Sequence, residues 1–191
     1  TADGDGDVLT LFDDAELIEL TGTTISGEGL FGVDVALTYD ELELVDIQLN
    51  DDVNNFIILD THAGTTSVKT FGGEDVIEVR QTSGETIIES GDADDWFLIA
   101  DSNGRLNAIS QLLSLDAGIG YDALDLNDSG DRVPNVGILT PTRVTGFGMG
   151  NLDQSEVNAS AGVAYQGIEE LTLALGSGAD ELTINNTHAG T

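Results

Sequence analysis

Two stretches of the chain share a Gly-x-Gly-x-Asp turn that runs straight into alternating apolar residues: GIGYDALDL at 118–126 and GSGADELTI at 176–184. In the second, Gly176, Gly178 and Asp180 stand where Gly118, Gly120 and Asp122 stand in the first. Glycines open turn conformations closed to other residues and let backbone carbonyls approach an ion, while the aspartate beside them supplies a hard anionic oxygen. The chemistry such a turn can do is cation binding, and calcium is the ion that suits carboxylate and carbonyl oxygens together.

The same turn recurs in weaker form. Lining up the residue that leads each apolar run gives Asn54, then Asp75 in FGGEDVIEV, then Asp95 in GDADDWFLI, at spacings of 21 and 20. The opening TADGDGDVLTL carries Asp3, Asp5 and Asp7 on alternate positions, and DVLTLFD at 7–13 aligns with DALDLND at 122–128, which pairs Asp7 with Asp122. An EF-hand loop also begins D-x-D-x-D, but its turn glycine would fall on Val8 and its closing glutamate on Asp14. The carboxylates that stand in these loops are Asp122, Asp180, Asp75 and Asp95, with Asp7, Asp5, Asp3, Asp92 and Asp52 as further ones of the same loops. Departures occur where Asp5 and Ala93 replace glycines and Asn54 replaces the aspartate. The competing reading is that Gly-Asp turns are common and the aspartate only caps turn backbone.

Other reactive residue types offer less. His62 and His188 sit at equivalent places in two copies of THAGT, with no second histidine or cysteine near either, so they read as hydrogen-bonded turn residues rather than ligands or pH sensors. Tyr39 with Glu43 and Tyr165 with Glu169 repeat at one phase and read as strand-edge anchors made by packing and a phenol hydrogen bond, not as an acid/base pair. No Ser-His-Asp or His-rich metal signature is visible. Asn127, Asn158 and Asn185 open N-x-Ser/Thr sequons, which carry meaning only in a secreted eukaryotic protein.

The elements that position these turns are short strands. Apolar alternation between Gly, Asp, Asn and Ser punctuation, with no long helix-period stretch, predicts an all-β chain. A second turn and strand lie halfway along each interval, with Gly64 before TTSVKT and Gly84 before ETIIES. Coils near 20 residues predict a right-handed parallel β-helix or β-roll solenoid, the alternative being an antiparallel sandwich. Within it an internal duplication with loop insertions is expected: residues 1–66 as a first copy, 67–117 as short coils, and 118–191 as a second copy. YDELELVDIQL at 39–49 matches YQGIEELTLAL at 165–175, and THAGT at 61–65 matches THAGT at 187–191. The offset grows from 115 at the aspartates to 126 at the histidines, as loop insertions require. The chain, opening without methionine and closing on THAGT, reads as one excised period of a longer head-to-tail array of neighbouring copies.

Charge narrows the partners. Thirty-six acidic residues against 5 basic ones give a formal net charge of −31, and self-repulsion on that scale works against a compact state unless cations neutralise it. Lys69, Arg80, Arg105, Arg132 and Arg143 are scattered, so no phosphate-tracking patch forms; nucleic acid is nearly excluded as a partner and an anionic membrane surface is disfavoured. Hydrophobic residues make up 40% of the chain and aromatics 5%, a profile suited to narrow aliphatic cores. There is no cysteine, so disulfides do not hold the fold, and no run approaches the ~18 apolar residues of a membrane span.

GIGYDALDL and GSGADELTI, and less closely FGGEDVIEV and GDADDWFLI, resemble the hemolysin-type calcium-binding (RTX) repeats. The longer pattern of Y-x-x-[LI]-E, apolar alternation, Gly-x-Gly-x-Asp turn and THAGT is similar to repeats of giant secreted or surface proteins such as the sponge aggregation factor core protein. The resemblance implies Ca2+ held between turns of successive coils by loop carbonyls and the carboxylates of Asp122, Asp180, Asp75 and Asp95, with Asp7, Asp5, Asp3, Asp92 and Asp52 as further candidate ligands, an extracellular or cell-surface location, and surface glycans among the partners. A β-roll of this kind uses coils of about 18 residues, and the longer coils here imply a looser β-helix with fewer ion rows.

Three functions are in competition. The first is a non-catalytic, calcium-stabilised structural or adhesive module of an extracellular array. The second is a polysaccharide-active enzyme on a β-helix, which wants a basic residue beside its acids and finds no Lys/Arg cluster here. The third is an ice- or surface-binding solenoid, for which the threonine-rich rungs such as 61–66 would supply a flat face.

Overall fold

A computed structural model describes residues 6–12, 17–27, 35–150 and 156–187; Asp3, Asp5 and His188 lie outside the described residues. The described chain is all-β, without a helix, and is organised as two mixed sheets. Its strands are β1 (Val8–Phe12), β2 (Leu17–Leu20), β3 (Thr24–Gly27), β4 (Ala36–Thr38), β5 (Leu44–Gln48), β6 (Asn55–Ile58), β7 (Thr65–Lys69), β8 (Val76–Val79) and β9 (Thr86–Glu89). They continue as β10 (Trp96–Ile99), β11 (Leu112–Asp116), β12 (Ala123–Asn127), β13 (Val136–Thr140), β14 (Arg143–Gly146), β15 (Gly162–Gln166), β16 (Glu170–Ala174) and β17 (Glu181–Ile184).

One sheet runs β1-β5-β7-β9-β11-β15-β14-β13-β17 and the other β16-β12-β10-β8-β6-β2-β3-β4. From β5 to β12 successive strands fall alternately in the two sheets, and from β7 onward each lies parallel to the strand two before it. Val76 stands opposite Asn55 and Trp96 opposite Val76, so the 21- and 20-residue spacings read from the sequence are the register of the second sheet. Antiparallel pairing is confined to two excursions, β2-β3-β4 and β13-β14-β15. The purely parallel arrangement expected from the coil spacing does not extend through them. Alternation fixes which way a side chain faces but does not say which strand lies beside it.

The two excursions are closed alike. The Tyr39 hydroxyl donates to the Thr21 carbonyl, and that of Tyr165 to the Thr140 carbonyl at 2.9 Å. β2 then pairs parallel with β6, as β13 does with β17. They lie on opposite sheets, because the first belongs to the sheet of β6 and the second to the sheet of β11.

Period-two alternation builds the core. Along the second sheet Ile18, Phe56, Ile77, Phe97 and Leu124 stand in register and are fully buried. Along the first, Ile47, Val68, Ile88 and Leu115 do the same, and both rows belong to one apolar cluster. The outward column of the second sheet reads Glu19, Ile57, Glu78, Leu98, Asp125, Thr172, so acids on neighbouring strands are separated by uncharged residues. Like charges directly opposite would oppose pairing. This placement predicts that Phe97→Ala, which empties a fully buried site, lowers unfolding free energy by about 3–5 kcal/mol. Ile119→Ser, at a residue 76% exposed, shifts it by about 0.5 kcal/mol or less, both read from chemical denaturation.

Candidate cation-binding site

Each strand of the second sheet from β6 to β16 is led by a polar residue, and these residues form a column: Asn54, Asp75, Asp95, Asp122 and Glu169. The links between them are backbone to carboxylate. Asp75 Oδ1 accepts the Asn54 N–H at 2.8 Å, Asp95 Oδ1 the Asp75 N–H at 2.9 Å, and Asp122 Oδ1 the Asp95 N–H at 2.8 Å. Glu169 Oε2 closes the column on the Asp122 N–H at 2.9 Å. The same contact appears twice more, from Asp7 N–H to Glu43 Oε2 at 2.7 Å and from Asn135 N–H to Asp180 Oδ1 at 3.0 Å. The aspartates thus tie one turn to the turn before it, whereas simple capping would bind the turn's own backbone. The paired tyrosine and glutamate of the sequence are anchors, the phenol holding the excursion and the carboxylate ending the column.

The glycines of GIGYDALDL answer to the same stacking. A Cβ on Gly118 (φ +81°) would sit 1.9 Å from the Gly91 carbonyl oxygen, and one on Gly120 2.0 Å from that of Ala93. Ala93 takes a φ of 88°, a left-handed conformation that side-chain-bearing residues adopt at a cost.

The second carboxylate oxygen is left over. Asp75, Asp95 and Asp122 are 2% exposed or less, and Oδ2 of each is buried without a hydrogen-bond partner, as is Oδ1 of Asn54 and of Asn135. The Thr70 hydroxyl, beside Asp75, directs its proton to the Ser90 carbonyl at 3.2 Å. Burial is the main influence on these acids. It pushes Asp75 and Asp122 up to about 6 and also raises Asp95; the nearby Thr70 hydroxyl at Asp75, the Ser90 hydroxyl at Asp95 and the backbone N–H bonds offset only part of the rise, and Asp95 adds repulsion to both neighbours.

A second buried acid was not singled out by its sequence. Asp128, just after β12, accepts the Leu106 N–H on Oδ1 at 3.1 Å and Asn135 Nδ2–H on Oδ2 at 3.3 Å. Burial first, then the nearby Asp131 and Asp180 carboxylates, push it up to about 7 against the pull of the Leu106 N–H and Arg105. Its signal was only an acid at the inward phase of DALDLND, which alternation makes visible once the strand's facing is known.

The remaining sequence candidates disperse. Asp180 is half-buried beside Asn135, Asp7 lies with Glu43, and Asp92 and Asp52 occupy exposed turns, Asp52 Oδ2 accepting from Asn50 Nδ2 at 2.7 Å. His62 is a buried turn residue with Nδ1 3.1 Å from Thr66 Oγ1, and burial lowers its pKa. Among the described residues no three His, Asp or Glu side chains converge as a ready metal cluster. A hard cation here would draw on one or two carboxylates together with turn carbonyls. The orphaned, buried Oδ2 atoms fit such a role: each is an anionic oxygen that lacks a donor and that a cation would satisfy.

Asp75 and Asp122 hold their protons up to about pH 6 when folded, against an ordinary value of 3.8. The folded chain therefore binds more protons than the unfolded chain between those values, and stability falls as pH rises through that window. In excess chelator the melting temperature rises on going from about pH 7.5 to about pH 5. Asp95→Asn, which keeps an acceptor and removes a charge, flattens that slope; an equal slope in the variant would show that overall charge repulsion alone sets it. No protein-family description matches the chain, and no curated protein or solved structure matches it either.

Proposed function

We propose that the chain is a non-catalytic, calcium-stabilised structural and adhesive module of an extracellular array, built as a right-handed parallel β-solenoid. The observation that carries this reading is the row of buried, unpartnered carboxylate oxygens on Asp75, Asp95 and Asp122. Calcium there would be held by those oxygens with turn carbonyls, supplying positive charge between coils of a −31 chain. The strand alternation between sheets supports a solenoid, and parallel strands joined by crossovers are overwhelmingly right-handed. The matched closures by Tyr39 and Tyr165, and the matched Asp7–Glu43 and Asp122–Glu169 contacts, support an internal duplication. Edge strands β16 and β17 keep Leu171, Leu173 and Leu182 only half-buried, the kind of surface a neighbouring copy in a head-to-tail array would cover.

Calcium a thousandfold above its Kd stabilises a folded chain by about 4 kcal/mol. In a chain of this size that raises the melting temperature by roughly 10 °C. Melts followed by circular dichroism in millimolar calcium and in EDTA are expected to differ by that order, with magnesium giving less. Asp95→Ala combined with Asp122→Ala removes most of the difference. Coincident melts of the wild type in calcium and EDTA sink the calcium reading.

A further inference from the structure

The outer face of the sheet formed by β8, β10, β12 and β16 carries a groove of about 650 Å3. Its floor is apolar where Leu98, Ala100 and Ala174 line it, and two of the three are small alanines. Two of its three carboxylates are paired with arginines. Arg80 meets Glu78 at 2.7 Å and Arg105 meets Asp101 at 3.0 Å, so two of the chain's five cations are spent at this one place. The third carboxylate, Asp125, accepts the indole N–H of Trp96 at 3.0 Å.

That hydrogen bond holds the only tryptophan of the chain, 46% exposed, against Asp125 of the groove's wall. Ala123 lies between Trp96 and Glu170 in the strand register, so no large side chain stands between them. Tyr121, 58% exposed, is held in turn by its hydroxyl bond to Glu170 Oε2 at 3.2 Å. Two exposed aromatic rings, each hydrogen-bonded to a carboxylate, thus stand on the same sheet beside a groove whose lining offers an apolar floor and the hydroxyl and amide groups of Asn127, Ser129 and Thr172.

We propose that this groove binds a neutral oligosaccharide, a ligand class that names a partner for the adhesive module and rests on its being non-catalytic but not on its binding calcium. A sugar offers apolar C–H faces to an aromatic platform and hydroxyls that both donate and accept, which is the combination displayed here. An anionic glycan is opposed by the field of a −31 chain. A basic peptide finds the groove's carboxylates already paired or hydrogen-bonded.

Trp96 is a built-in reporter. Titration of the full chain with cellulose-, mannan-, starch- and chitin-derived hexasaccharides at millimolar concentration is expected to give a saturable change in its fluorescence with at least one of them. By calorimetry, Trp96→Ala and the groove-filling Ala100→Leu weaken that binding at least about tenfold, while Ile119→Ser leaves it unchanged and all three variants keep the wild-type melt. The proposal is overturned if none of the four binds, if Trp96→Ala binds as well as wild type, or if a sulfated hexasaccharide or oligolysine binds more tightly than any neutral sugar. Running the titration in calcium and in EDTA separates the two readings: sugar binding that survives EDTA, with coincident melts, sustains the groove and removes calcium.

Discussion

The constraint on which the rest depends is the carboxylate that reaches the backbone N–H of the turn before it. Neighbouring strands stand about 4.8 Å apart, a span that a short aspartate side chain bridges when it sits immediately before the strand. Asn54 to Asp75, Asp75 to Asp95 and Asp95 to Asp122 repeat that bridge, so every strand of this run starts at the same height. Register then follows without further specification. A slip of one residue would break the bridge and turn Phe56, Ile77, Phe97 and Leu124 to solvent at once. The interval between links is free to vary: 20 residues separate Asp75 from Asp95 and 47 separate Asp122 from Glu169, with a whole excursion inside the longer one.

The acidity of the chain is distributed rather than merely tolerated. On the second sheet Glu19, Glu78 and Asp125 occupy every other strand of one outward column, with Ile57, Leu98 and Thr172 between them. Where acids do fall on adjacent strands, as Glu89 and Asp116 do on the first sheet, Lys69 is set beside Glu89 at 2.6 Å. These pairs are partly exposed and contribute little to stability singly. Their effect is local charge balance, and beside Trp96 two of the groove's three carboxylates are paired with arginines while the third accepts the indole N–H.

Strand positions were legible because the lead residue and the apolar alternation are local signals. Asn54, Asp75, Asp95 and Asp122 each immediately precede β6, β8, β10 and β12. The tyrosine anchors were legible as well, through repetition at one phase. The antiparallel excursions were not, since β2 and β13 alternate just as the parallel strands do. Nor was the partner of each aspartate: the loop pattern points to an ion, while the atom that Asp95 Oδ1 meets lies 20 residues earlier on the backbone. The groove escaped for the same reason, being assembled from Arg80, Ala100 and Asn127 on three different passes of the chain.

What remains is how three buried acids can stand in one column. A hydrogen bond to a charged group contributes about 1.5–3 kcal/mol, and each of Asp75, Asp95 and Asp122 receives one from a backbone N–H. Two carboxylates at the strand spacing, in surroundings with an effective dielectric near 20, repel by roughly 3 kcal/mol. Asp75, with Asn54 on its other side, therefore comes close to even, but Asp95 and Asp122 each face a carboxylate on either side, Glu169 being the second neighbour of Asp122. Neutralisation at either of these two relieves two repulsions in one event. A proton can do this only toward acid pH, and it leaves the chain's outer charge in place. A divalent cation beside Asp95 would do it at neutral pH and would convert two repulsions into two attractions, which is the physical basis of the proposed calcium role.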